Sequence, residues 1–167
     1  TSQVDNCSFA IKGAKPLEGS EVIIEDSALT EPRLFAGTID RVELVNYKAP
    51  LVWKVDCQDY TLQMDKKLVV ETYLGLNADT IVHDILLKYC PGFSAAGVAS
   101  GAPVIESTGT EFNYKMPSEC IKWLCDYIGW QWYVDYYKVV HFFDPAQMGT
   151  VAPMTLQPGG RFSNFKV

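Results

Sequence analysis

The chain has 167 residues, 48% hydrophobic and 20% charged, with 12 glycines and 9 prolines, a globular composition that excludes disordered, collagen-like and low-complexity classes. With 20 acids against 14 bases the formal charge is −6, and the lack of a dense basic run argues against a sequence-specific nucleic-acid surface. No run approaches the ~18–20 consecutive apolar residues of a membrane span, and the length suits one generous domain or two small ones.

The first third reads as strands joined by turns. Cys7, Phe9 and Ile11 alternate with Ser8, Ala10 and Lys12, the pattern of a half-buried strand. Residues 16–19 make a turn, and Glu21-Val-Ile-Ile-Glu25 is a short strand with charged ends. From Leu34 the apolar positions are Phe35, Gly37 and Ile39, then Val42 and Leu44 on the opposite parity. Such a phase switch inside one run predicts a β-bulge, as a tightly curled sheet requires. Leu51, Trp53, Val55 and Cys57 form the clearest strand, and residues 68–73 the next. Together these predict an antiparallel barrel-like unit over residues 1–76.

The period then changes. Asn77 or Asp79 can cap a helix over 79–90 with Ile81, Val82, Ile85, Leu86 and Tyr89 on one face, ended by Pro91-Gly92. Residues 93–103 are small and featureless, and a loop is expected over 91–110. A strand at 111–115 leads to a helix opened by Pro117-Ser118, with Ile121, Leu124, Cys125 and Ile128 on its apolar face and Gly129 at its end. The hairpin over 130–143 follows. Its best turn is a four-residue loop, 135–138, which pairs Val134 with Val139 and Trp132 with His141; a three- or five-residue loop would turn His141 away from the tryptophans. After Pro145 the chain loosens through Gly149, Pro153 and Pro158-Gly-Gly160 to a strand-like run over 162–167. Starting at Thr1 and stopping in that run, it reads as an excised piece of a longer protein. The predicted class is α+β, with an inserted α/β unit over 77–146 and the start of a return over 147–167.

Residues able to carry chemistry are sparse. The five cysteines, Cys7, Cys57, Cys90, Cys120 and Cys125, are odd in number and contain no CxxC, and the histidines are only His83 and His141. Neither a disulfide framework nor a zinc site is expected; buried thiols from a reducing cytosol fit better. Cys120 and Cys125 on one helix would point about 140° apart. Asp56, Asp59 and Asp65 read as solvated acids at strand ends and turns. His141 near Asp135 or Asp144 lacks any nucleophile motif, so a hydrogen-bonded sheet histidine is expected, and His83 belongs on the surface. No catalytic, cofactor or metal residue is assigned. Trp123, Trp130 and Trp132 with Tyr127, Tyr133, Tyr136 and Tyr137 form an aromatic-rich region. The tryptophans are expected to form the core between helix and hairpin; Tyr136 and Tyr137 at the hairpin tip, with Tyr133, are the candidate partner contacts.

The order of these features carries a resemblance. Phe9-Ala-Ile11, then Glu18-Gly19 before Val22-Ile-Ile24, then Leu34-Phe-Ala-Gly-Thr-Ile39 resembles the opening of phage tail hub proteins. So do Val55-Asp-Cys-Gln-Asp-Tyr60 with Leu62 and Asp65, the helix from Asp79 to Leu87, Leu124 to Asp135, and His141-Phe-Phe143. The likeness runs over about residues 5–145 as an ordered series of short motifs. It implies a structural component of a phage or prophage tail tip or baseplate hub, with related hubs in contractile injection systems. It also implies a trimer around the tail axis, each full-length subunit giving two barrel-like tube domains, with other tail proteins as partners. The expected location is the virion tail, after assembly in the bacterial host cytoplasm. Nothing in the chain resembles the peptidoglycan-cleaving domain that some tail proteins carry. The alternative from another class is a carbohydrate-binding or host-attachment module using the aromatic hairpin.

Overall fold

The alternating segments of the first third form one antiparallel sheet. The computed structural model describes residues 5–30, 32–105 and 109–147; the glycines and prolines at 149–160 and the run at 162–167 lie outside them. Strands β1 (Asn6–Lys12), β2 (Glu21–Glu25), β3 (Arg33–Asn46) and β4 (Val52–Asp59) lie in the order β1-β4-β3-β2. Pairs such as Phe9 with Val55 and Val22 with Gly37 set the register. The predicted phase switch is a bulge between Ile39 and Arg41, with a second between Leu44 and Asn46. Skipping Asp40 turns both Ile39 and Val42 inward, where they join Phe35, Val55 and Cys57 in a small buried cluster. The two bulges curl the sheet strongly into a half-barrel. At Gly37 the strands come so close that a Cβ would sit 2.0 Å from the Gln58 carbonyl oxygen; only glycine fits there.

The remaining elements build a second cluster. They are α1 (Thr61–Met64), β5 (Val69–Tyr73), α2 (Ala78–Tyr89), β6 (Ser94–Val98), β7 (Thr110–Lys115), α3 (Pro117–Ile128), β8 (Gln131–Val134) and β9 (Val139–Phe143), followed by a short 3-10 turn, Pro145–Gln147. Ile81, Val82, Ile85 and Leu86 of α2 meet Cys120, Ile121, Leu124 and Cys125 of α3, together with Trp132, Val140 and Phe142. Both helices present the apolar stripes their spacing predicts. Pro117 and Glu119 begin α3, and Gly129 closes it at φ 76°. The class is α+β.

Three expectations are corrected. The strand at 69–73 pairs with β7 rather than with the first sheet, because Val69 and Tyr73 face the second cluster. Residues 94–98, expected in a loop, form β6, which runs parallel to β9 and packs Ala95 and Val98 on the core. Asp59 is buried at 6% exposure, not solvated. Its carboxylate accepts from the Asp5 amide at 3.0 Å, and from the Thr61 amide and hydroxyl at 3.0 and 3.3 Å. Asp65 likewise caps α3 from 53 residues away, accepting from the Ser118 amide at 3.0 Å and its hydroxyl at 2.6 Å. These carboxylates satisfy backbone donors at element ends, a structural use. Among the described residues no helix is long and apolar enough to cross a membrane.

Candidate contact site at the hairpin tip

The hairpin closes through a shorter turn than predicted. The Asp135 amide donates to the Val139 carbonyl at 3.0 Å and Lys138 adopts φ 62°, so the loop is three residues, Tyr136-Tyr137-Lys138, ending in a left-handed residue. Asp135 holds it. Its Oδ1 accepts from the Tyr137 and Val139 amides at 2.8 and 2.9 Å, and its Oδ2 lies 2.9 Å from His141 Nε2. Burial pushes the Asp135 carboxyl up, but these hydrogen bonds outweigh it and hold the group below the usual carboxylate range.

The shorter loop shifts the register by one residue. Trp132 pairs with Phe142, Tyr133 with His141 and Val134 with Val140, which corrects the expected pairing of Trp132 with His141. A one-residue slip reverses the faces: Trp132 is buried, while Tyr133 and His141 stack on the opposite face at 4.5 Å and 9°. Beside them in the same sheet, β6 approaches β9 so closely that a Cβ at Gly97 would lie 2.7 Å from His141 Nδ1. His141 is a hydrogen-bonded sheet residue, as expected, and His83 is exposed on α2.

The tip does not project freely. The Tyr136 ring packs on Phe35 at 5.8 Å, and its hydroxyl donates to Asp5 at 3.2 Å. Arg33 Nη1 donates to the Tyr136 carbonyl at 2.9 Å while its guanidinium covers the Tyr137 ring at 4.3 Å. Lys138 reaches Glu21 at 3.0 Å and lies over the Tyr60 ring at 4.5 Å. Buried Tyr60 donates to the same Glu21 oxygen at 2.6 Å. Hydrogen bonds from Tyr60 and Lys138 hold the Glu21 carboxyl below its usual range, while burial and Glu21 push the Tyr60 phenol up. The tip is thus docked by residues about 80 to 130 positions earlier in the chain.

The candidate contact residues therefore separate. Tyr136 is half-buried in an internal interface; Tyr133 and Tyr137 keep 41% and 49% of their surface exposed. Among the tryptophans, Trp132 and Trp130 fulfil the core expectation, Trp130 leaning on Phe142 at 5.0 Å. Trp123 does not: it lies on the outer side of α3, stacked with Tyr127 at 5.3 Å. Arg33, Glu21 and Tyr60 were not singled out from sequence, since no local pattern marks partners so far apart. Among the described residues no group of three or more His, Cys, Asp or Glu side chains converges as metal ligands.

No protein-family model matches the chain, and no curated protein matches it in sequence. Its fold is similar to two solved tail proteins. One is the 43 kDa tail protein of prophage MuSo2 from Shewanella oneidensis, with TM-score 0.62 and 12% identity over 82% of this chain and 44% of that one. The other is the tail protein from Neisseria meningitidis MC58, with TM-score 0.62 and 9% identity over 83% of this chain and 41% of that one. At these identities the likeness is one of fold, and the chain spans less than half the length of either structure.

Proposed function

We propose that the chain is a structural, non-enzymatic part of a phage or prophage tail, contributing to an oligomeric ring at the tail tip or baseplate hub. The observation that carries this reading is a fold shared with two tail proteins over more than four-fifths of the chain. The half-barrel supports it. Neither β1 nor β2 has a strand on its outer edge among the described residues, and exposed edges are normally paired or covered in an assembly. In this reading the curled sheet is one tube domain, and the second cluster, which also takes in Met64 and β5, is a unit inserted into it. The full-length protein would assemble as a trimer in the virion tail beside other tail proteins, after folding in the host cytoplasm.

The alternative of host attachment through the hairpin retains only Tyr133 and Tyr137 as exposed rings, because Tyr136 packs on Phe35. The test is the mass of the full-length protein by light scattering over a range of concentrations. A trimer is expected, and a strict monomer at the highest concentration would overturn the ring.

A further inference from the structure

The outer side of α3 carries a cleft separate from the hairpin dock. It lies between β7 and α3 and encloses about 460 Å³, within the ~300–1,000 Å³ range of small-ligand sites. One wall is aromatic: the Trp123 indole meets Phe112 edge-on at 5.8 Å and 82°, and stacks with Tyr127 at 5.3 Å and 16°. Despite these contacts Trp123 keeps 41% of its surface exposed. The floor is apolar, formed by buried Ile105 and Cys120. Three charged side chains, Glu111, Glu119 and Lys115, line the same cleft. Glu119 accepts from the Met116 amide at 3.2 Å, and among the described residues no ion pair joins Lys115 to either acid.

We propose that this cleft binds a neutral saccharide, one ring packing its C–H face on the exposed part of the Trp123 side chain. The charged lining suits a hydroxyl-rich ligand. Two carboxylates against one ammonium disfavour an anion, and sugar hydroxyls donate to the carboxylates and accept from the ammonium. An apolar peptide laid in the cleft would strip water from three charged groups and return no hydrogen bonds. The exposed part of Trp123 supplies apolar surface that a pyranose face covers. This site is independent of the ring reading and differs in place from the hairpin.

The test uses the whole chain with maltotriose, cellotriose and the β-1,4-linked trimer of N-acetylglucosamine, read by calorimetry and by saturation-transfer NMR. At least one is expected to bind, with saturation strongest on the protons of one ring face. Trp123→Ala should weaken that binding about tenfold or more, the loss of one stacking surface, and Glu111→Gln should weaken it severalfold. Tyr137→Ala, at the hairpin tip, should leave it unchanged. Absence of binding by all three sugars up to about 10 mM, the weak end of specific association, overturns the proposal. So does loss on Tyr137→Ala without loss on Trp123→Ala. If Trp123→Ala does not fold, Glu111→Gln and Lys115→Ala decide: binding unaffected by both overturns the site.

Discussion

Arg33 on β3 donates to the main-chain carbonyl of Tyr136 at 2.9 Å, across 103 residues of chain. The same guanidinium lies 4.3 Å from the Tyr137 ring centroid and pairs with Glu25 at 3.2 Å. One side chain thus makes two of the contacts that hold the hairpin tip to the curled sheet. It joins the small cluster around Phe35 to an element whose base is rooted in the larger cluster. Arginine suits the task because its planar fork can bond a carbonyl and cover a ring at once.

Removing that fork should loosen the tip selectively. Arg33→Ala is expected to cost about 2–3 kcal/mol, combining a charge-assisted hydrogen bond with a cation–π contact. Arg33→Lys should recover little of it. Urea denaturation gives the loss, and amide exchange over residues 131–139 should accelerate in the same variants. Unchanged exchange there would mean that Arg33 does not hold the tip.

Asp135 makes the hairpin sensitive to acid. Its carboxyl titrates below the usual range in the folded chain, so the folded protein binds fewer protons than the unfolded one. The stabilisation is complete above the unfolded value of about 3.9 and fades as pH falls through the lower folded value. Asp135→Asn should lower stability at neutral pH by about 1–2 kcal/mol. It should also flatten part of the acid limb, leaving the contributions of Glu21, Asp84 and Asp56, whose carboxyls are likewise held low. Urea midpoints from neutral pH down to about pH 3 test this; an acid limb as steep in the variant as in the parent would contradict it.

The thiols should divide by exposure. Cys57 is buried and pushed up to about 11, and buried Cys90, Cys120 and Cys125 to about 12, with burial the leading cause each time. Cys7 is partly exposed on β1. Since the thiolate is the reactive form, an aromatic disulfide reagent at about pH 8 should label Cys7 first. The other four should react only as the chain unfolds. Rapid labelling of Cys120 or Cys125 in the folded protein would show that α3 is not packed as described.

Local signals were legible in the sequence, and non-local ones were not. The bulge past Ile39 showed as a change of parity between Ile39 and Val42, because a two-residue period records which face each side chain takes. Helices α2 and α3 showed as stripes of Ile and Leu, with Pro117 and Gly129 as punctuation. Strand β6 was hidden because Ser94-Ala-Ala-Gly-Val98 has little strand character of its own; its parallel partner β9 lies some 45 residues on. The hairpin register turned on Lys138 taking φ 62°, where glycine is the usual choice, with the Asp135 carboxylate bracing the loop. The docking of Tyr136 against Phe35 depends on residues about 100 positions apart, which no local window contains.

The proposed structural place at the end of a tail is tested most directly by finding the chain there. Tail particles from a host carrying the gene should be labelled with gold-conjugated antibody raised against these 167 residues and viewed by electron microscopy. Gold confined to the distal end of the tail is the predicted result. Particles that assemble complete tails yet carry no label, with the protein found only free in the lysate, would contradict it.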